Sequence, residues 1–233
     1  VPPQSASLFE FEFDEPLPIQ VEVSDAPLTS DAGLLPLRQF DQCIGQTAPF
    51  AAALHDPRDP DRIDHTFPEM VRSRVFGILA GYADQNDHDT LRTDPVFKLI
   101  ANRSPDDADL ASQPTLSRFE NQIDIPSLFR LRDVFLDQFI ASFAHPPITL
   151  TFDLDAVDDP THGAQQLTLF HAFYEQYPYL PLVITCAEND AIVVLSLRHG
   201  TATAPLGADD ELEYLVTRIR AVWPNVRIRV MRC

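Results

Sequence analysis

The chain has 233 residues, 45% of them hydrophobic, enough for one large core or two small ones. Its 35 acidic and 17 basic residues leave a formal net charge of -18. That excludes a protein that grips nucleic acid over its whole surface, because phosphate contacts need Lys and Arg.

The basic residues are uneven, with none before Arg38 and none between Arg132 and Arg198. A nucleic-acid surface would therefore have to come from Arg58 to Arg132 or from Arg218 to Arg232. Cys43, Cys186 and Cys233 are far apart and form no metal or disulfide pattern, which fits a reducing compartment. No apolar run approaches the length that spans a bilayer, and the start lacks a positive region followed by an apolar core.

Taken in order, Phe9, Phe11 and Phe13, then Ile19, Val21 and Val23, alternate with polar residues. They predict two short strands or an extended arm over residues 1–29, broken by Pro16 and Pro18. Leu34, Leu35, Leu37 and Phe40 suit a short helix with Pro36 in its first turn, and 46–55 a second. Asp56 to Thr66 reads as a polar loop. It leads into a helix capped by Thr66 with Glu69 three residues on, and Val71, Val75, Ile78, Leu79 and Tyr82 as its apolar stripe. A further short helix starts near Pro95, with Val96, Leu99 and Ile100 facing the same core.

Residues 106–111 and 114–121 predict two short helices around a tight turn at Ser112–Gln113. The second turns Leu116 and Phe119 inward and carries Gln113, Thr115, Ser117 and Arg118 as candidate DNA contacts, the arrangement of helix-turn-helix readers. An ordinary surface helix has the same pattern, and only one Arg lies on that face among flanking acids. Pro126 opens a last helix with Leu128, Leu131, Phe135 and Phe139 on its buried side. His145-Pro146-Pro147 stops it. The predicted domains are thus the arm 1–29, a helical domain 30–145 and a second domain 146–233.

Within 146–233, Ile148, Leu150, Phe152 and Leu154 alternate with Thr149, Thr151, Asp153 and Asp155, the period of a strand. Asp158, Asp159, Pro160 and Gly163 follow in a turn. Four carboxylates within seven residues repel one another, and metal or phosphate chemistry is one reason to hold them together. A strand running into an acidic, solvated turn is the other reading. Residues 171–187 predict a second strand and 191–197 a third, buried on both faces, with Asn189-Asp190 as a hairpin turn. A helix starts near Asp209 with Leu212, Leu215, Val216, Ile219 and Val222 on one face. Val226, Ile228 and Val230 then alternate with arginines in a fourth strand.

The fold class is therefore α+β: a helical domain, then three antiparallel strands, a helix and a fourth strand. This order resembles the ribonuclease H-like fold, in which the crossover makes the fourth strand parallel to the first. Leu28 to Asp41, Val75 to Pro95, Leu110 to Asn121 and Asp153 to Gln166 together resemble one family, the DDE transposases of bacterial insertion sequences, insertion-sequence-1380 group. The resemblance spans about residues 20–233.

It implies a cytoplasmic bacterial enzyme that cuts and joins DNA at the element's terminal repeats, with a homodimer as a candidate assembly. Two Mg²⁺ ions held by three acids would activate water and then a DNA 3′-hydroxyl. Asp155 would be the first acid, catalytic and metal-binding, with Asp153 as a supporting or alternative ligand. Val157 stands where the family usually has Thr. The second acid is expected in an Asp-Ser-Gly just after the fourth strand and the third, a Glu, later on a helix. The chain stops at Cys233, so the expectation is a truncated domain that does not cut DNA alone. A non-catalytic protein that still recognises element ends is the first alternative. A metal-dependent phosphoester hydrolase using Asp153 to Asp159 with His162, His171 or Glu188 is the second.

Overall fold

The computed structural model describes residues 9–11, 19–21, 28–161, 163, 165–203 and 205–232. Phe13, Val23, His162 and Cys233, which carry some of the expectations above, lie outside them. The described chain divides into two compact units, residues 1–40 with 64–119, and residues 41–63 with 120–233.

In the first unit, strands β1 (Phe9–Phe11) and β2 (Ile19–Val21) pair antiparallel. Helix α1 (Leu34–Ile44) begins in this unit, and α2 (Thr47–Ala53) follows in the second. Helix α3 (Phe67–Leu79) starts with the predicted capping box: Glu69 N–H donates to Thr66 Oγ1, and Thr66 N–H to Glu69 Oε2. Its inward side is a correction. Phe67, Met70, Val71, Phe76 and Gly77 are buried, whereas Ile78 and Leu79 are exposed. The helix is apolar on two sides, and the inward one carries Gly77, where the His88 ring packs so closely that a Cβ would lie 2.9 Å from its Nε2.

Helix α4 (His88–Leu91) and α5 (Pro95–Ile100) follow, the latter capped by Asp94, whose Oδ1 accepts from Val96 and Phe97 N–H. Phe97 and Ile100 are fully buried and pack with Leu34, Phe76 and Leu110, while Leu99, expected inside, is exposed. The helix expected over 106–111 is absent. That backbone is committed elsewhere: Lys98 Nζ donates to the carbonyls of Pro105 and Asp107, and Leu110 N–H to Arg92 O. Helix α6 (Gln113–Asn121) forms as expected, with Leu116 and Phe119 buried and Phe119 edge-on to Phe67.

The second unit is built on a four-stranded sheet. Helix α7 (Ile125–Ala141), which the sequence assigns to the helical stretch, lays Leu136 and Phe139 into the core of this sheet. Leu128, expected on its buried side, is 54% exposed. Strand β3 (Thr149–Ala156) is followed by the short pair β4 (Asp159–Pro160) and β5 (Pro178–Tyr179). Then come β6 (Leu182–Cys186), β7 (Ala191–Ser196), α8 (Ala208–Val222) and β8 (Arg227–Arg232).

The sheet order is β7-β6-β3-β8. β6 runs antiparallel to β3 and β7, and β8 parallel to β3, so α8 is the crossover that a parallel neighbour requires. Leu150, Phe152 and Leu154 of β3 meet Leu215 and Ile219 of α8 in one core with α7.

Two expectations about strands change. Residues 171–177 are not strand: His171 N–H bonds Gln176 O, Glu175 N–H bonds His171 O, and Glu175 takes a positive φ of 52°, which closes a turn. β7 is not buried on both faces but forms a sheet edge, with Leu195 63% exposed and Ile192 48%.

Candidate active site

β3 is the strand that positions the acids. It lies between β6 and β8, which among the described residues pair with it as far as Leu154, and β6 alone carries the pairing on through Asp155 and Ala156. Asp155 stands opposite Val183, one residue before the end of the strand, and is exposed. Among the described residues its side chain makes no hydrogen bond or ion pair. Asp153, one pleat earlier on the same face, is half-buried, opposite Thr185 on one side and Met231 on the other. Asp153 does have an interaction of its own. Asp158 and Asp159 are exposed beyond the strand, and Asp158 accepts from Gln176 Nε2 at 3.1 Å.

At this end of β3 lies a cavity of about 370 Å³. Leu154, Leu182, Leu212 and Val230 give it apolar walls, and Asp155, Asp209 and Tyr174 also line it. Asp209 comes from the first turn of α8 and Tyr174 from the turn between β4 and β5. Sequence reasoning missed both. Reading 171–187 as one strand hid the turn, although its run of Phe170, Phe173, Tyr174 and Tyr177 was a visible signal. Asp209 was noticed only as the start of a helix.

Of the other acid and imidazole candidates, His162 lies outside the described residues and Glu188 is held elsewhere. Glu188 accepts the N–H of Thr151 at 2.8 Å and the thiol of Cys186 at 3.2 Å, four residues back along β3 from Asp155. Burial pushes the Glu188 carboxyl up, but those donors outweigh it and hold it below the usual range. Burial also pushes the Cys186 thiol up to about 11, so Cys186 is no thiolate nucleophile. His171 packs its ring 4.8 Å from that of Tyr174. Among the described residues no group of three His, Cys, Asp or Glu side chains is placed to hold a metal ion.

The four residues singled out on α6 are also placed. Arg118 is exposed and its Nη2 donates to Thr115 Oγ1 at 3.0 Å, while Gln113, Thr115 and Ser117 are half-buried. Gln113 N–H is tied to Asp89 Oδ1 at 3.1 Å, which fixes the start of the helix on α4. Among the described residues no helix is long and apolar enough to cross a membrane.

A family model described as Transposase DDE domain group 1 matches residues 11–233. No curated protein and no solved structure matches the chain. The match covers nearly the whole chain, and the chain belongs to the DDE-domain transposases of group 1.

Proposed function

We propose that this chain supplies the first acid, Asp155, of a transposase that cuts and joins DNA at the ends of a bacterial insertion sequence of the 1380 group. The observation that carries the reading is Asp155 itself. It is an exposed carboxylate at the carboxyl end of a central strand, among neighbours ordered β7-β6-β3-β8 with β8 parallel to β3. That order supports a ribonuclease H-like reading of the sheet. In-line attack on a phosphodiester needs charge stabilisation on the attacking and leaving oxygens, which two Mg²⁺ ions would supply.

Each such ion needs several oxygen ligands in near-octahedral geometry. Asp155, with Asp153 behind it, does not meet that demand, and no group of three suitable side chains comes together among the described residues. The proposal therefore gives this chain one member of the ligand set. α6, with Arg118 outermost, is the element proposed to touch the terminal repeats, and a homodimer is its proposed assembly.

The test combines two assays on the purified chain. With Mg²⁺ or Mn²⁺ and a duplex of the element's end, no strand cleavage is expected; cleavage that Asp155→Ala abolishes would overturn the incomplete-site reading. A gel shift on the same duplex should be salt-dependent and weaker in Arg118→Ala. Equal binding of an unrelated duplex, unaffected by that change, would sink the end-recognition reading.

A further inference from the structure

The cavity beside Asp155 has a composition that the carboxylate chemistry does not explain. Among the described residues its lining has apolar walls, one aromatic ring and two acidic residues, Asp155 and Asp209, and contains no Lys or Arg. Without a metal ion at Asp155 a phosphate is a poor occupant of such a lining, since like charges placed together repel. A flat, neutral group that carries N–H donors fits better. The apolar walls accept its faces, and a carboxylate accepts its donors.

The ring is held in place. Phe173 packs edge-on against Tyr174, with centroids 5.0 Å apart and planes at 87°, and His171 packs at 4.8 Å on the same ring. The turn that carries them is tied down as well. Thr161 Oγ1 donates to Tyr177 O at 2.6 Å, and Tyr179 OH to Gln166 O at 2.5 Å. Gly200 lies so close to this segment that a Cβ on it would meet Pro178 O at 2.3 Å and Leu169 O at 2.7 Å. Tyr174 nonetheless stays 37% exposed and Phe173 82%. Aromatic rings kept exposed on a braced turn, at the rim of a cavity that shares Asp155, offer a stacking surface for a base.

We propose that this cavity takes one unpaired nucleobase of the DNA, stacked on Tyr174 with its exocyclic amino group on Asp209. Cytosine and adenine carry such an amino group and thymine does not, so the site prefers the first two. A base reaches it from a single-stranded or frayed end, or by leaving the stack, which costs a few kcal/mol in a paired duplex. The inference rests on the reading of DNA as substrate, and goes beyond it by assigning Tyr174 and Asp209 as positioning residues.

The test uses the full chain and fluorescein-labelled six-nucleotide strands of cytosine, adenine or thymine, read by anisotropy. Cytosine and adenine strands should bind more tightly than thymine. Tyr174→Leu should weaken them by about fivefold or more, from the usual strength of base–aromatic stacking, and Tyr174→Phe should restore them. Asp209→Asn, whose amide can also donate, should erase the bias against thymine. Irradiation with a 5-iodocytosine strand should attach it to the peptide containing Tyr174.

Equal affinity for the three strands, no loss in Tyr174→Leu, or an adduct mapped elsewhere would each overturn the proposal. If the end duplex is bound while Tyr174→Leu changes nothing, the stacking site falls and the DNA reading stands. If neither duplex nor single strands bind, both fall.

Discussion

Asp155 stands opposite Val183 of β6 and is exposed, whereas Asp153, one pleat earlier on the same face of β3, lies between Thr185 and Met231 and is half-buried. Of the two carboxylates Asp155 is the more open, so it is the one expected to take an ion with its water shell. Mn²⁺ added to the isotopically labelled chain should broaden the amide signals of residues 154–157 first. Binding should be weak, on the order of millimolar, because one carboxylate replaces few waters. Asp155→Asn should remove the effect and Asp153→Asn should leave most of it. Broadening that follows Asp153 instead would reverse the assignment.

Arg118 is the exposed cation of α6, and acids such as Glu120 stand close by in sequence. Its contribution to DNA binding would be a phosphate contact, which carries no sequence information by itself. Arg118→Ala should weaken binding to the element's end and to random duplex alike. It should also reduce the slope of log affinity against log salt by about 1. A loss confined to the specific duplex would mean that Arg118 reads a base edge.

Much of the architecture can be read from the chain because local chemistry and burial agree there. Thr66 with Glu69, Pro95 behind Asp94, and the alternation from Ile148 to Asp155 each satisfy capping or pleat geometry in a few residues, and each element forms. Which side of a helix faces inward is less local. Ile78 and Leu79 continue an apolar stripe as well as Phe76 does, and the choice is made by His88 arriving against Gly77 from eleven residues away.

The candidate site divides in the same way. Asp155 is legible because strand period places it. Tyr174 is not, because its turn is closed by backbone hydrogen bonds of His171, Glu175 and Gln176, while the Phe and Tyr residues around them favour strand. Likewise, the exposure of Ile192 and Leu195 follows from β7 being an edge, which is a property of sheet order and invisible in AIVVLSL.

Glu69 and Arg103 provide a pH-dependent brace in the first unit. Arg103 Nε and Nη2 donate to the two Glu69 oxygens at 2.7 and 3.2 Å, and Glu69 also accepts from Thr66 N–H. Burial pushes the Glu69 carboxyl up, but the Arg103 fork and the Thr66 donors outweigh it and leave it below its usual 4.5. A depressed carboxylate stabilises the fold above its unfolded pKa, and that contribution is lost as pH falls through the folded value. Urea unfolding should find Glu69→Gln less stable than the parent by about 1.5–3 kcal/mol at pH 7, the range for hydrogen bonds to charged groups. The gap should shrink steadily below about pH 4.5 as the parent's carboxylate takes up its proton. A gap that stays constant down to pH 3 would show that the carboxylate's charge is not what stabilises the contact.

Gly200 decides whether the aromatic turn keeps its place. A Cβ there would stand 2.3 Å from Pro178 O and 2.7 Å from Leu169 O, both backbone atoms that cannot rotate away. Either residues 169–178 shift or the loop after β7 does, and overpacking of this kind costs about 1–3 kcal/mol. Gly200→Ala should therefore lower the unfolding midpoint and speed proteolytic nicking within 165–177. Gly33→Ala, with nothing within 4 Å of the added carbon, should change either measurement little. If Tyr174 is the stacking surface, Gly200→Ala should also weaken cytosine-strand binding while leaving the duplex binding proposed for α6 intact. An alanine tolerated at position 200 with both midpoint and nicking unchanged would mean that the turn is not braced from that side, and the positioning of Tyr174 would lose its physical basis.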